Sequence, residues 1–185
     1  MRLFIAISFP EHELRAINDR IAMVKSRLPS AAWVRPETQH LTFAFLGEQP
    51  ESLLTPLAPL VEESLSGVPR FEGRLRGSGF FPNPRHARVG WVGAGPEEKF
   101  RAVADAVRAG VKTAGVTLEG GDFRPHLTLF RIRDPWPPAC IDVFNSALRD
   151  YKSDPFAVDA VTLFSSELNP KGAIHTPLRT FSLAT

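Results

Sequence analysis

The chain has 185 residues, of which 43% are hydrophobic and 23% are charged, which is the composition of an ordinary folded protein. This length suits one domain with a substantial core, and the composition disfavours disordered, collagen-like and coiled-coil proteins. No apolar run approaches the roughly 18 residues that span a bilayer, and the short apolar start lacks the cleavage site of a signal peptide. The single cysteine, Cys140, excludes an internal disulfide and predicts a cytoplasmic protein.

The net charge of +2 is too small to indicate a surface that binds duplex nucleic acid. Arginines nevertheless cluster between positions 70 and 88, where Glu72 is the only acidic residue. The members of this cluster are Arg70, Arg74, Arg76, Arg85 and Arg88. The cluster is compatible with an anion-binding patch and equally with the charged edge of a sheet.

The spacing of apolar residues, glycines and prolines predicts strands that alternate with helices. The first half is expected to contain a strand over 3–9, a helix over 10–28, an extended piece at 33–36, a strand over 39–47 and a helix over 51–66. Strands over 71–80 and 87–92 follow, then a helix over 96–114, a strand over 124–133, a helix over 139–151 and strands over 156–165 and 180–184. The element order of the second half thus resembles that of the first.

One motif occurs twice. His-Leu-Thr-Phe begins at His40 and His-Leu-Thr-Leu begins at His126, and each copy opens a predicted strand that follows a helix. Chance would supply only about 0.3 His-x-Thr pairs in a chain of this composition, so two copies in matched context are unusual. The repeat predicts a duplicated α+β unit, with two lobes that face each other across a cleft.

Side chains two residues apart in a strand lie on the same face. His40 therefore shares a face with Thr42, and His126 shares one with Thr128. Their neighbours are expected to point into the core: Leu41, Phe43, Phe45, Leu127 and Leu129. If a pseudo-twofold axis relates the lobes, the cleft holds two imidazoles and two hydroxyls in symmetric positions.

Two imidazoles and two hydroxyls suit an in-line displacement at a phosphodiester. One imidazole takes a proton from the attacking oxygen, while the other gives a proton to the leaving oxygen on the opposite side of phosphorus. The hydroxyls, together with an arginine, can hold the non-bridging oxygens. This chemistry requires no metal.

Two other functions are compatible with the same residues. A metal hydrolase would use the histidines as ligands, but neither motif carries a carboxylate two to four residues after its histidine, and Cys140 is isolated. Glu37 and Asp122, just before the motifs, leave a mixed site open. The other function is an RNA-end-binding module that uses the same groove without turnover.

The chain resembles the two-histidine (2H) phosphoesterases, and within them the RNA 2′,3′-cyclic phosphodiesterase or 2′-5′ RNA ligase (LigT-like) family. The matching segments are RLFIAI at 2–7, WVRPETQHLTFAFLG at 33–47, GFFP at 79–82, RVGWVG at 88–93, FRPHLTL at 123–129 and VTLFSSEL at 161–168, followed by Pro170 and Gly172. The resemblance implies a bilobal α+β fold over residues 1–185, a single domain with two antiparallel sheets that flank a central cleft and helices outside.

The resemblance also implies hydrolysis of a 2′,3′-cyclic phosphate on RNA to a 2′-phosphomonoester without a cofactor. By motif position, His40 is the proton donor to the 3′ leaving oxygen and His126 the base that activates water. Thr42 and Thr128 are expected to bind phosphate oxygens, with Arg131 as a further phosphate ligand. Strict alternation would turn Arg131 away from the cleft, so a β-bulge or an edge position is required.

The cleft rim is expected to include Trp33, Phe81 and His175, as base-stacking or lining residues. The family usually has a tyrosine where this chain has His175. We expect a monomer that acts on RNA with a 2′,3′-cyclic phosphate end, such as a tRNA fragment. The reverse reaction would join such an end to a matching 5′ end through a 2′-5′ bond. The motifs do not separate this activity from action on a small cyclic phosphate such as ADP-ribose 1″,2″-cyclic phosphate.

Overall fold

The computed structural model describes residues 1–170 and 172–185. Its helices are α1 (Glu11–Lys25), α2 (Leu54–Leu65), α3 (Glu97–Thr113) and α4 (Pro138–Leu148). Its strands are β1 (Arg2–Ser8), β2 (Ala32–Trp33), β3 (His40–Glu48), β4 (Phe71–Phe81), β5 (Val89–Gly95), β6 (His126–Arg131), β7 (Phe156–Val158), β8 (Ala160–Asn169) and β9 (Gly172–Ser182). Short 3-10 turns cover Pro36–Thr38, Glu51–Leu53 and Pro84–His86.

The strands form two antiparallel sheets, which confirms the predicted fold class. The first sheet has the order β3-β1-β8-β9 and the second has the order β2-β6-β5-β4-β7. Helices α1 and α4 contact each other, and α4 also lies against β4. Helices α2 and α3 form the other pair, with α3 against β3 and β5. The first sheet combines the two ends of the chain, because β8 and β9 join β1 and β3.

The two halves contain an equivalent strand–helix–strand unit, β1-α1-β3 in the first half and β5-α3-β6 in the second. In each unit the two strands pair antiparallel, with Ser8 opposite His40 in one and Gly93 opposite His126 in the other. Both units then lose one residue of register shortly after the histidine. The predicted duplication is therefore present in strand pairing as well as in the motif.

Helix α1 has the predicted buried face but ends earlier than predicted. In α1, residues Leu14, Ile17 and Ile21 are buried at helical spacing, and the helix ends at Lys25 rather than at the predicted Leu28. Leu28 still packs against the core, but from a turn in which its amide donates to the Lys25 carbonyl. The prediction made α1 about one turn too long because Leu28 is apolar and lies at helical spacing, although it packs against the core from outside the helix.

The predicted C-terminal strands differ most from the structure. The expected strand over 156–165 is two strands in different sheets, since β7 pairs with β4 and β8 pairs with β1. The last strand begins at Gly172 instead of 180. Most of β9 is exposed, so the alternation of apolar and polar residues that indicates a half-buried strand is missing there.

Candidate active site

A cleft of about 870 Å³ lies between the two sheets. Strand β3 contributes His40 and Thr42 to its lining, and β6 contributes His126 and Thr128. The structure therefore brings both His-x-Thr motifs to one cavity, as the repeat predicted. The leucine after each histidine, Leu41 or Leu127, is fully buried behind the strand.

The two imidazoles are held in the same way. Nδ1 of His40 lies 2.7 Å from the carbonyl oxygen of Thr38, and Nδ1 of His126 lies 2.7 Å from that of Arg124. A carbonyl oxygen only accepts, so each Nδ1 carries a hydrogen and donates it. The neutral ring then has its lone pair on Nε2, the nitrogen that is left to exchange a proton with a ligand.

The cleft makes both imidazoles hard to protonate. The pKa of His40 is lowered from 6.5 to about 4, chiefly by burial. Positive charge on His175, His126 and Arg131 lowers it further, whereas the hydrogen bond to the Thr38 carbonyl raises it. Burial also lowers the pKa of His126, helped by the charges of Arg131 and Arg124. Without an anion between them, both rings are therefore neutral near pH 7. A bound phosphate would offset these effects with its negative charge.

A β-bulge in each motif strand determines which side chain follows the threonine into the cleft. Opposite β5, Trp91 pairs with Thr128 and the next residue, Gly90, pairs with Phe130, so Leu129 is the extra residue. This slip reverses the alternation and places Arg131 in the cleft lining beside Thr128. The bulge that the resemblance required is thus present.

The same slip makes one sequence expectation wrong. On β3, Ala6 pairs with Thr42 and Ile5 pairs with Ala44, so Phe43 is the extra residue. Ala44 is buried in its place, and Phe45 is 62% exposed and lines the cleft instead of entering the core. The alternation of buried and exposed positions expected for a regular strand could not show that Phe45 is exposed. A β-bulge adds one residue to the strand and reverses the alternation after it, and the apolar residues of β3 do not reveal where this happens.

Apart from Arg131, the positive charge of the cleft was not predicted from the sequence. Five arginines line it, against the single carboxylate of Asp122 among the described lining residues. These arginines are Arg2, Arg35, Arg108, Arg124 and Arg131. They come from four separate segments, because Arg124 and Arg131 both belong to the segment around β6, so no single cluster in the sequence indicates them. The arginines between 70 and 88 do not line the cleft; Arg74, for example, donates to the carbonyl of Ser153.

The three predicted rim residues all line the cleft. Trp33 contacts Phe130 of the core, with 4.6 Å between ring centroids, so it is partly a packing residue. Phe81 meets the His126 ring edge-on at 4.8 Å between centroids. His175 meets the His40 ring edge-on at 5.1 Å.

Two kinds of feature are absent from the described part of the chain. Within 1–170 and 172–185, no group of three or more histidine, cysteine, aspartate or glutamate side chains is arranged to hold a metal ion. In the same part of the chain, no helix is long and apolar enough to cross a membrane.

Two antiparallel sheets, each presenting one His-x-Thr strand to a shared cleft, define the class of two-histidine phosphoesterases. A family model described as the 2′-5′ RNA ligase superfamily matches residues 11–170. The chain belongs to this superfamily.

Named relatives and solved structures agree with this assignment. A Thermus thermophilus protein named RNA 2′,3′-cyclic phosphodiesterase is 37% identical, over 99% of this chain and 90% of its own. A Methanothermobacter thermautotrophicus protein of the same name is 31% identical over 99% of both chains. The crystal structure of a Thermus thermophilus protein superimposes with a TM-score of 0.78 at 33% identity, covering 99% of this chain and 98% of that one. E. coli LigT complexed with 3′-AMP gives 0.75 at 26% identity, covering 100% and 98%.

Proposed function

We propose that this protein hydrolyses 2′,3′-cyclic phosphate ends of RNA to 2′-phosphomonoesters, with His40 as the general acid and His126 as the general base. The observation that carries this proposal is the pair of imidazoles on opposite walls of one cleft, each with Nδ1 bound to a backbone carbonyl and Nε2 left for proton transfer. The relatives named RNA 2′,3′-cyclic phosphodiesterase support it.

The proposed reaction is a single in-line displacement. A water oxygen attacks phosphorus while its proton passes to Nε2 of His126. The bond from phosphorus to the 3′ oxygen breaks, and that oxygen takes the proton from Nε2 of His40. The product is a 2′-phosphomonoester and a free 3′ hydroxyl, with His40 neutral and His126 protonated. Exchange of protons with solvent restores the starting state.

The neighbouring polar side chains would stabilise the phosphate. The hydroxyls of Thr42 and Thr128 and the guanidinium of Arg131 line the same cavity and can donate to non-bridging oxygens as charge redistributes. Arginine is well suited to this task because its planar fork binds two phosphate oxygens at once. The balance of five arginines against one carboxylate among the described lining residues favours a substrate with several phosphates, such as an RNA chain.

The same displacement can use a 5′ hydroxyl as the attacking group in place of water, and it is then the reverse of the transesterification that opens a 2′-5′ bond. A 2′,3′-cyclic phosphate end would then be attacked by a matching 5′ hydroxyl end instead of water, giving a 2′-5′ bond. We propose that hydrolysis dominates because water is abundant. We also propose one two-lobed domain over 1–185 that works as a monomer in the cytoplasm, with tRNA fragments among its substrates.

The test is hydrolysis of a nucleoside 2′,3′-cyclic phosphate in excess chelator, with the product isomer identified. We expect a 2′-phosphate from the wild type, and a loss of about 100-fold or more in kcat/KM for His40→Ala and for His126→Ala. His86→Ala, at an exposed histidine outside the cleft, is the matched control and should keep full activity. Dependence on added zinc, or equal activity of all variants, would contradict the proposal.

The affinity for an RNA end distinguishes the proposed enzyme from a module that only binds RNA ends. A general acid or base contributes mainly to the transition state, so His40→Ala should leave the Kd for a 2′-phosphorylated RNA end nearly unchanged. If the wild type binds the RNA end without turnover, the non-catalytic function replaces the proposed one.

A further inference from the structure

The two candidate catalytic imidazoles have different ring neighbours. Strand β9 places His175 edge-on to His40, with 5.1 Å between ring centroids and 77° between planes. Phe4 contacts both rings, at 4.7 Å from His40 and 4.9 Å from His175. On the opposite wall, the ring that stands edge-on to His126 is the phenyl ring of Phe81, at 4.8 Å. His40 therefore has a titratable ring, His175, as its edge-on neighbour, whereas His126 has the apolar ring of Phe81.

His175 also differs from the other two histidines in its hydrogen bonding. Its Nδ1 is buried, and no described residue is its hydrogen-bond partner. A hydrogen on that atom would lose its hydrogen bonds to water without replacement, so the neutral ring keeps its hydrogen on Nε2. His40 has the opposite tautomer, with its hydrogen on Nδ1. His175 is therefore not a third base of the same kind.

The charges that face this pair are mostly positive. The charged and titratable side chains that line the cleft around it are Arg2 on β1, Arg35 after β2, Arg108 on α3, Asp122 and Arg124 before β6, and His126 and Arg131 on β6. Burial, and then the charge of Arg35, lowers the pKa of His175. A second positive charge on His40 would lie beside a first one on His175, with Asp122 the only carboxylate among the described lining residues to offset them.

We propose that His175 is a positioning residue that competes with His40 for a single proton, so that protonation of His175 restrains protonation of His40. This inference rests on the proposed function, in which His40 must be protonated to act as the acid. At alkaline pH His175 is neutral and leaves His40 unaffected. Once the pH is low enough to protonate His175, its charge reduces the fraction of His40 that carries the proton needed for acid catalysis. Such coupled groups titrate as a pair.

The competition predicts a crossing pattern for two variants. His175→Phe removes the charge at every pH, and His175→Lys keeps a positive charge at every pH used. The wild type should match the Phe variant in kcat/KM at pH 8 and approach the Lys variant as the pH is lowered and His175 becomes protonated. Where His175 is protonated, we expect the Phe variant to exceed the wild type by about 3-fold to 10-fold, the effect of one like charge at this separation. At pH 8 the Lys variant should fall below the wild type by the same factor.

A second readout does not depend on turnover. The imidazole signal of His40 in the substrate-free protein is followed by NMR from pH 3.5 to pH 8, with His175→Gln as a second uncharged variant and His86→Phe as the control. In the Phe and Gln variants the His40 midpoint should rise by about half a pH unit to one pH unit, and the control should not change it. If the His40 midpoints of these variants and the wild type coincide, or if each substitution changes kcat/KM by the same factor above and below the titration of His175, the competition is refuted. Loss of hydrolysis in the wild type would instead contradict the proposed function and leave the NMR test decisive.

Discussion

The lowered pKa of His40 predicts a loss of stability in mild acid that a single substitution removes. An unfolded histidine titrates near 6.5, whereas His40 titrates at about 4 in the folded protein, chiefly because it is buried. Between these values the unfolded chain binds a proton that the folded chain does not, so stability present above pH 6.5 is lost as the pH falls towards 4. Linkage with these two pKa values gives a loss of about 2 kcal/mol between pH 7 and pH 5, and about 3.4 kcal/mol once the pH is below both.

Urea unfolding of the wild type and of His40→Gln at pH 7 and pH 5 measures this loss. Glutamine has no charge to gain, so the stability of the variant should fall by about 2 kcal/mol less than that of the wild type. Glu13 acts in the opposite direction because burial raises its pKa, but both proteins contain it and its effect cancels in the comparison. The control His86→Gln should follow the wild type. If His40→Gln and the wild type lose equal stability, the reasoning about burial is refuted.

Three further results are expected from the geometry of the cleft. The kcat/KM of the wild type should show a bell-shaped pH profile with its maximum below pH 6.5, since both His40 and His126 have lowered pKa values; a maximum above pH 7.5 would contradict this. Arg131→Ala should reduce kcat/KM by about 10-fold to 100-fold, and a Lys variant should recover part of that loss. Gly90→Ala should destabilise the protein by about 1–3 kcal/mol in urea unfolding, because its methyl group would overlap the Phe130 ring, whereas the Gly67→Ala control has open space.

Much of the site could be predicted because the chemistry depends on a short local pattern. A histidine and a threonine two residues apart share a face of any strand, so the pairs His40 with Thr42 and His126 with Thr128 needed no tertiary information. The repetition of that pattern after a helix also carried the two-lobed architecture. Both expectations depend only on the alternation of side chains over three residues of a strand. In each motif those three residues come before the β-bulge, so the bulge does not disturb them.

The features that could not be predicted depend on long-range pairing. The exposure of Phe45 follows from a bulge whose register is set by β1, and the cleft arginines converge from segments as distant as Arg2 and Arg131. The early part of β9 lacks an apolar rhythm because its residues are largely exposed. The edge-on contact of His175 with His40 depends on the position of β9, so it could not be predicted from the residues around His175 in the sequence.

The pairing of β8 and β9 with β1 has a consequence for synthesis of the chain. The wall that carries His40 is completed by residues 160–182, which leave the ribosome more than 100 residues after β3. A nascent chain that has emerged only through β6 exposes both His-x-Thr strands but has an unpaired edge on β1 and no partner for His40 from β9. Such an intermediate must keep β1 from pairing with other chains until β8 has emerged. Circular permutants that place β8 and β9 ahead of β1 would form this sheet early and shorten that interval.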